Sequence, residues 1–214
     1  MQIAIDGPAG AGKSTIAKIL AKDLKYIYVD TGAMYRAISL YFYEKKIKST
    51  DIDMIISELP NVHIELVYVD YNQKIFLNDR DVTEEIRKPL VSKLASEYSK
   101  IQVIREKLVN MQQEIAKNND VIMDGRDIAS KVLPFADLKI YLDANVEVRA
   151  KRRFLEQGDL NQTFEEIVED IKQRDYEDKT RDNSPLIKVD DAKVIDSTSY
   201  TIEEVVEQIK KYIN

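Results

Sequence analysis

Apolar positions along this chain recur in two rhythms: short continuous runs that suit buried strands, and longer stretches spaced three and four apart that suit helices. Gln2 to Asp6 (QIAID) is the first short run, and it ends in a glycine-rich turn. Lys13 to Leu24 then carries Ile16, Ile19, Leu20 and Leu24 at helical spacing, so the opening predicts strand, loop, helix. The alternation returns with Tyr26 to Val29 before a helix through Tyr43, with Val121 to Met123, and with Leu138 to Leu142 before a helix from Val146. A last predicted strand, Lys193 to Ile195, precedes a helix with Ile202, Val205, Val206, Ile209 and Ile213 on one face. Strands separated by helices predict an α/β fold with a parallel sheet covered on both sides.

Residues 60 to 90 break this rhythm. VHIELVYVD and QKIFLND flank the polar turn Asp70-Tyr71-Asn72 and predict an antiparallel hairpin in a small inserted subdomain. Ile101 to Lys117 then predicts a helix with Ile104, Leu108, Met111 and Ile115 on one side and Arg105 beside that stripe.

Composition narrows the class. At 214 residues, with 44% hydrophobic and 33% charged residues, the chain has the proportions of one main globular fold. No stretch approaches the roughly 18 apolar residues of a membrane span, and MQIAIDG lacks the features of a signal peptide, so cytoplasmic residence is the expectation. The absence of cysteine and the single histidine, His63, exclude disulfides and thiolate or histidine-cluster metal sites, so any metal is expected on oxygen ligands. His63 reads as an ordinary strand residue. A net charge of −6 argues against nucleic acid as a partner.

Anion binding is then local, and its strongest signal is Gly7-Pro8-Ala9-Gly10-Ala11-Gly12-Lys13-Ser14, which fits G-x-x-x-x-G-K-[ST] between a predicted strand and a predicted helix. Glycines let successive backbone N–H groups face a phosphate, and the following helix N-terminus adds partial positive charge. Lys13 is expected to reach the β- and γ-phosphates, Ser14 to carry Mg²⁺, and Thr15 to add a phosphate contact. An N-K-x-D guanine motif is absent, which counts against a GTPase.

Arginines fill the second half: Arg126, then Arg149, Arg152 and Arg153, then Arg174 and Arg181. Guanidinium forks suit a transferring phosphoryl group. From Thr163 to Arg181 one helical stripe passes from Phe164, Ile167 and Ile171 to Arg174, Asp178 and Arg181, a change from core to charge. That end either projects over a cleft and holds an anion or is a solvated end with local ion pairs. Arg149, Arg152 and Arg153 are either a lid over phosphates or a solvated face. Asp124, at the end of a predicted parallel strand, either holds a Mg²⁺-bound water or caps the next helix.

IAIDGPAGAGKST, VDTGAMYR, DGRDIA, KIYLDA and the Arg174 to Arg181 segment resemble the nucleoside monophosphate kinases and, within them, the bacterial cytidylate kinases, over nearly the whole chain. The resemblance implies a three-layer P-loop kinase fold with a central five-stranded parallel sheet. It places a core at 1–36 and 118–214, an inserted acceptor-binding subdomain at about 37–117, and a short lid at about 150–165. It implies a catalytic set of Lys13, Arg126, Arg149 and Arg153. It also implies an acceptor set of Thr31, Arg36, Ser96, Arg105, Arg126, Asp127, Arg174, Asp178 and Arg181, with Ser99 an alternative to Ser96 within one turn.

The implied reaction is ATP-dependent, Mg²⁺-assisted phosphorylation of CMP or dCMP by a monomer, with insertion and lid closing on the substrates. A carboxylate such as Asp127 would favour the amino group of cytosine over the carbonyl of uracil. Another acceptor, UMP or dTMP, is the nearest alternative, and a nucleotide-hydrolysing switch module is a more distant one.

Overall fold

The computed structural model of the protein describes residues 1–69, 72–157 and 162–213. The chain divides into two compact units, Met1–Ile27 with Asp120–Asn214, and Tyr28–Asn119.

In the first unit, strand β1 (Gln2–Asp6) leads through the glycine-rich turn into helix α1 (Lys13–Leu24). Ile3, Ala4 and Ile5 are fully buried, as expected for a strand with neighbours on both edges and helices on its faces. β1 pairs in parallel with β6 (Val121–Gly125) on one side and β7 (Leu138–Asp143) on the other, and β7 pairs in parallel with β8 (Lys193–Asp196). With β2 (Ile27–Asp30) the sheet has five strands in the order β2-β6-β1-β7-β8. The expected central five-stranded sheet is therefore present.

Helix α1 lies against β1 and β6, and α8 (Ile202–Lys210) packs on α1 through Val205, Val206 and Ile209. Ile202, expected on the same face, is largely exposed because it opens the first turn after the Thr201 capping box. Helices α6 (Val146–Gln157) and α7 (Phe164–Thr180) pack through Ala150, Ile167 and Ile171, with Val146, Phe164 and Val168 at the margin. Thr163 and Glu166 close a capping box that starts α7. The expected lid at about 150–165 includes Gly158 to Asn161, which lie outside the described residues.

The second unit contains α2 (Thr31–Glu44), α3 (Ile52–Glu58), strands β3 (Ile64–Val69), β4 (Asn72–Leu77) and β5 (Arg80–Asp81), and helices α4 (Pro89–Tyr98) and α5 (Gln102–Lys117). The expected hairpin is β3 against β4, from Ile64 opposite Leu77 to Val69 opposite Asn72, while Asp70 and Tyr71 of its turn lie outside the described residues. β5 extends the hairpin to three strands. The connection is Asn78-Asp79, both at positive φ, a two-residue turn that hairpins favour. His63 is exposed one residue before β3 and engages Asn78 only through its backbone.

The buried face of α5 is Ile104, Leu108, Gln112 and Ala116, one position on from the expected Met111 and Ile115, with Arg105 buried beside it. Gln112 fits that face because its amide donates to the Met34 sulfur over 3.7 Å. Helix α4 packs against α2, where Phe42 and Tyr98 stack with centroids 5.6 Å apart.

Candidate active site

In the first unit the turn after β1 is shaped for an anion. Gly7 has φ 151°, and a Cβ there would lie 1.9 Å from the Leu142 carbonyl oxygen, so only glycine lets the loop pass β7. Gly12, at φ 90°, stands at the N-cap of α1 without any side chain to satisfy the helix's first amides, which leaves those donors for a phosphate. Pro8, Ala9, Gly10 and Ala11 form the crest of the loop.

Lys13 is 5% exposed and its ammonium donates to the Pro8 carbonyl at 2.7 Å, folding the side chain back over its own loop. Burial, and then the adjacent Arg126 guanidinium, hold the Lys13 ammonium well below the ordinary lysine range, against the opposing pull of Asp124, Asp178 and Asp6. Ser14 donates to Asp124 Oδ2 at 2.7 Å, which joins the first turn of α1 to the C-terminal end of β6. Of the two roles left open for Asp124, the pairing favours the one beside the phosphate loop. The pair is a set of hard oxygen ligands, the type Mg²⁺ prefers.

Two residues beyond Asp124 the chain leaves β6 through Arg126 and the buried Asp127. Arg126 Nε donates to Asp178 Oδ2 at 2.7 Å. Arg181 at the end of α7 lies 3.8 Å from both Asp127 Oδ1 and Asp178 Oδ1 and donates through Nε to the Ser184 carbonyl at 2.7 Å. Burial works against ionisation of Asp178, but Arg126, Arg174 and Arg181 outweigh it and keep the carboxyl below its ordinary range. The stripe of α7 therefore runs from a packed core into an alternating row of charges that meets the Asp124–Asp127 stretch. A solvated helix end with local ion pairs does not describe it, because the Arg181 side chain is only 7% exposed.

The α6 arginines diverge. Arg149 is buried, donating to the carbonyls of Ala144 at 2.8 Å and Ala9 at 3.0 Å and to Asp175 at 2.6 Å. In this arrangement it braces the phosphate loop from behind, and neither the lid nor the solvated face applies to it. Arg153 instead lines a cavity of about 430 Å³ with Gly10 to Thr15, Arg152, Ser197, Tyr200 and Thr201.

Arg152 reaches the Ser197 hydroxyl at 3.1 Å and the Ser197 carbonyl at 2.7 Å. Sequence reasoning missed Ser197, Tyr200 and Thr201. The signal was available in the polar run Ser197 to Thr201 at the C-terminal end of a parallel strand, the edge where open α/β sheets bind ligands.

The second unit holds its own cluster. Asp30 caps α2 by accepting from Ala33 N at 2.8 Å, and Arg36 Nη2 donates to Asp30 Oδ2 at 3.1 Å. Thr31 is buried at the start of the same helix. Arg105 is 4% exposed, stands over the Tyr35 ring at 5.4 Å and donates to the Ser99 carbonyl at 3.0 Å. Ser96 Oγ is turned to Ser92 O at 3.4 Å. Arg105 thus touches Ser99, the alternative within one turn, through its backbone.

A strand, a glycine loop carrying lysine and serine, a helix and a row of arginines on a five-stranded parallel sheet define a P-loop phosphotransferase. Comparison with known proteins narrows the class: residues 3–214 match the cytidylate kinase family. The cytidylate kinase of Caldicellulosiruptor saccharolyticus is 53% identical over 98% of this chain and 93% of its own. That of Lactobacillus johnsonii is 47% identical over 100% of this chain and 94% of its own. This chain belongs to the cytidylate kinase family. Its fold also resembles the crystal structure of an uncharacterized protein from Eubacterium ventriosum, with a TM-score of 0.57 at 14% identity, covering 100% of this chain and 98% of that one.

Proposed function

We propose that the chain transfers the γ-phosphoryl group of ATP to CMP and dCMP, giving ADP and CDP or dCDP. In this reading the amides of Gly7 to Thr15 and Lys13 hold the donor phosphates. Arg126 and Arg153 neutralise charge at the transferring group, and Arg149 keeps the loop in shape. Thr31, Arg36, Ser96, Arg105, Arg126, Asp127, Arg174, Asp178 and Arg181 bind the acceptor. Ser14 and Asp124 are the residues that would hold Mg²⁺, directly or through water, and the ion would supply charge neutralisation on the β- and γ-phosphates.

The observation that carries the reading is the Asp124–Asp127 stretch. Its first residue is bonded to the loop serine, and its last two are paired with the charged end of α7. One short segment thereby touches both the donor loop and a guanidinium cluster suited to a second anion. Arg36 adds support, since its buried Nε has no hydrogen-bond partner among the described residues and suits an acceptor phosphate.

No general base is needed. A phosphate monoester has a second pKa of about 6, so at neutral pH the acceptor oxygen is mostly ionised and the protein's task is alignment and charge neutralisation. Asp127 is the buried carboxylate that would accept from the cytosine amino group, an interaction uracil lacks. We further read the protein as a cytoplasmic monomer acting on small molecules rather than on nucleic acid or membrane. Among the described residues no helix is long and apolar enough to cross a membrane.

A coupled ADP-release assay across nucleoside monophosphates tests the proposal. CMP and dCMP are expected to exceed UMP in kcat/KM by about a hundredfold. Equal values for CMP and UMP would overturn the base selectivity, and ADP release without formation of CDP would favour a hydrolytic switch.

A further inference from the structure

Asp6, the last residue of β1, is 2% exposed, and the expected donor and acceptor sets both leave it out. It stands immediately before Gly7, and both oxygens of its carboxylate are engaged by amides outside the loop. Oδ1 accepts from Ile128 N and Oδ2 accepts from Ala129 N, each at 2.8 Å. Those two amides open the π-type turn Ile128–Val132 that follows Asp127. One buried side chain on the donor strand therefore fastens, at two points, the start of the turn that directly follows Arg126 and Asp127.

We propose that Asp6 is a positioning residue for acceptor recognition, fixing the Arg126-Asp127 stretch by two hydrogen bonds to the turn behind it. The inference rests on the acceptor role given above to Arg126 and Asp127. A carboxylate is suited to the task because it offers two acceptors in one plane to two adjacent N–H groups. An amide of the same shape offers one acceptor and turns an N–H against the other donor.

The charged and titratable neighbours of Asp6 are Asp127 ahead of the turn, Lys13 on α1 and Tyr141 on β7. Burial pushes the Asp6 carboxyl up to about 6, against the two backbone hydrogen bonds, with Asp127 adding to the rise and Lys13 opposing it. Protonation near that value removes one acceptor, as the amide does.

The test separates acceptor from donor. Asp6→Asn is expected to raise KM for CMP about tenfold or more while the calorimetric affinity for a magnesium-bound, non-hydrolysable ATP analogue stays within about twofold. An unchanged KM for CMP, or an equal loss on both substrates, would overturn the proposal. Asp127→Asn is the companion. If it too leaves KM for CMP unchanged, the acceptor reading itself fails; if it alone raises KM, only the role of Asp6 fails. Should Asp6→Asn not fold, the amide proton shifts of Ile128 and Ala129 in the unaltered protein decide. Both are expected to titrate together with a midpoint of about 6 and to move upfield on acidification, and the absence of a shared titration would overturn the proposal.

Discussion

Ser14 Oγ and Asp124 Oδ2 lie 2.7 Å apart although 110 residues separate them, so the phosphate loop and the end of β6 are tied by a hydroxyl and a carboxylate that both suit a magnesium ion. Asp124→Asn preserves the shape but removes the charge. Turnover is expected to fall about a hundredfold or more at fixed magnesium. Part of it is expected to return as magnesium is raised, which a metal titration of initial rates would show. Chelation of magnesium is expected to abolish turnover in the unaltered protein and leave its circular dichroism unchanged.

Gly7→Ala is expected to be a folding defect as well as a catalytic one. The added methyl would meet the Leu142 carbonyl at 1.9 Å, a rigid backbone atom in β7, at a φ that side chains disfavour. A loss of about 3 kcal/mol or more is the expected scale, read from urea midpoints.

Arg149 and Arg153 sit one turn apart but should respond differently to alanine. Removing Arg149 strands Asp175 and two carbonyls and is expected to cost about 3 kcal/mol of stability. Arg153→Ala is expected to change stability by less than about 0.5 kcal/mol and to lower kcat. Unfolding curves and kinetics of the two variants side by side check the division.

Acid should weaken the cluster at the end of α7. The Asp178 carboxyl lies below its ordinary value because Arg126, Arg174 and Arg181 outweigh burial, so its stabilising charge is fully present above the unfolded pKa of about 4 and is lost as pH falls through the lower folded value. Asp178→Asn is expected to flatten the acid limb of stability below about pH 4, with melting temperature against pH as the readout.

Donor binding should take up protons. In the unliganded protein the Lys13 ammonium is held below the ordinary lysine range by burial and by Arg126, and phosphates restore its charge. Calorimetry in buffers of different ionisation enthalpy is expected to show fractional uptake on the alkaline side of neutrality, and none in Lys13→Met.

What was legible in the sequence was what is local. The phosphate loop is fixed by contiguous residues, and the face change along α7 is fixed by its helical period; both reappear in the structure at the expected positions. Helix α3 was not anticipated, because it buries only Ile55, too few positions to set a period. The face of α5 was misplaced by one residue because Gln112 is buried through a long-range partner, Met34, that no local pattern announces. The same limit applies to Arg149. From sequence it belongs with Arg152 and Arg153, and only its contacts with Ala9, Ala144 and Asp175 reveal a brace.

The most direct measurement is a single-turnover experiment following radiolabelled γ-phosphoryl from ATP in the presence of CMP. Label is expected in CDP, with negligible label in inorganic phosphate and a rate about a thousandfold lower for folded Lys13→Met. Label recovered chiefly as inorganic phosphate, or an unchanged transfer rate in that variant, would contradict it.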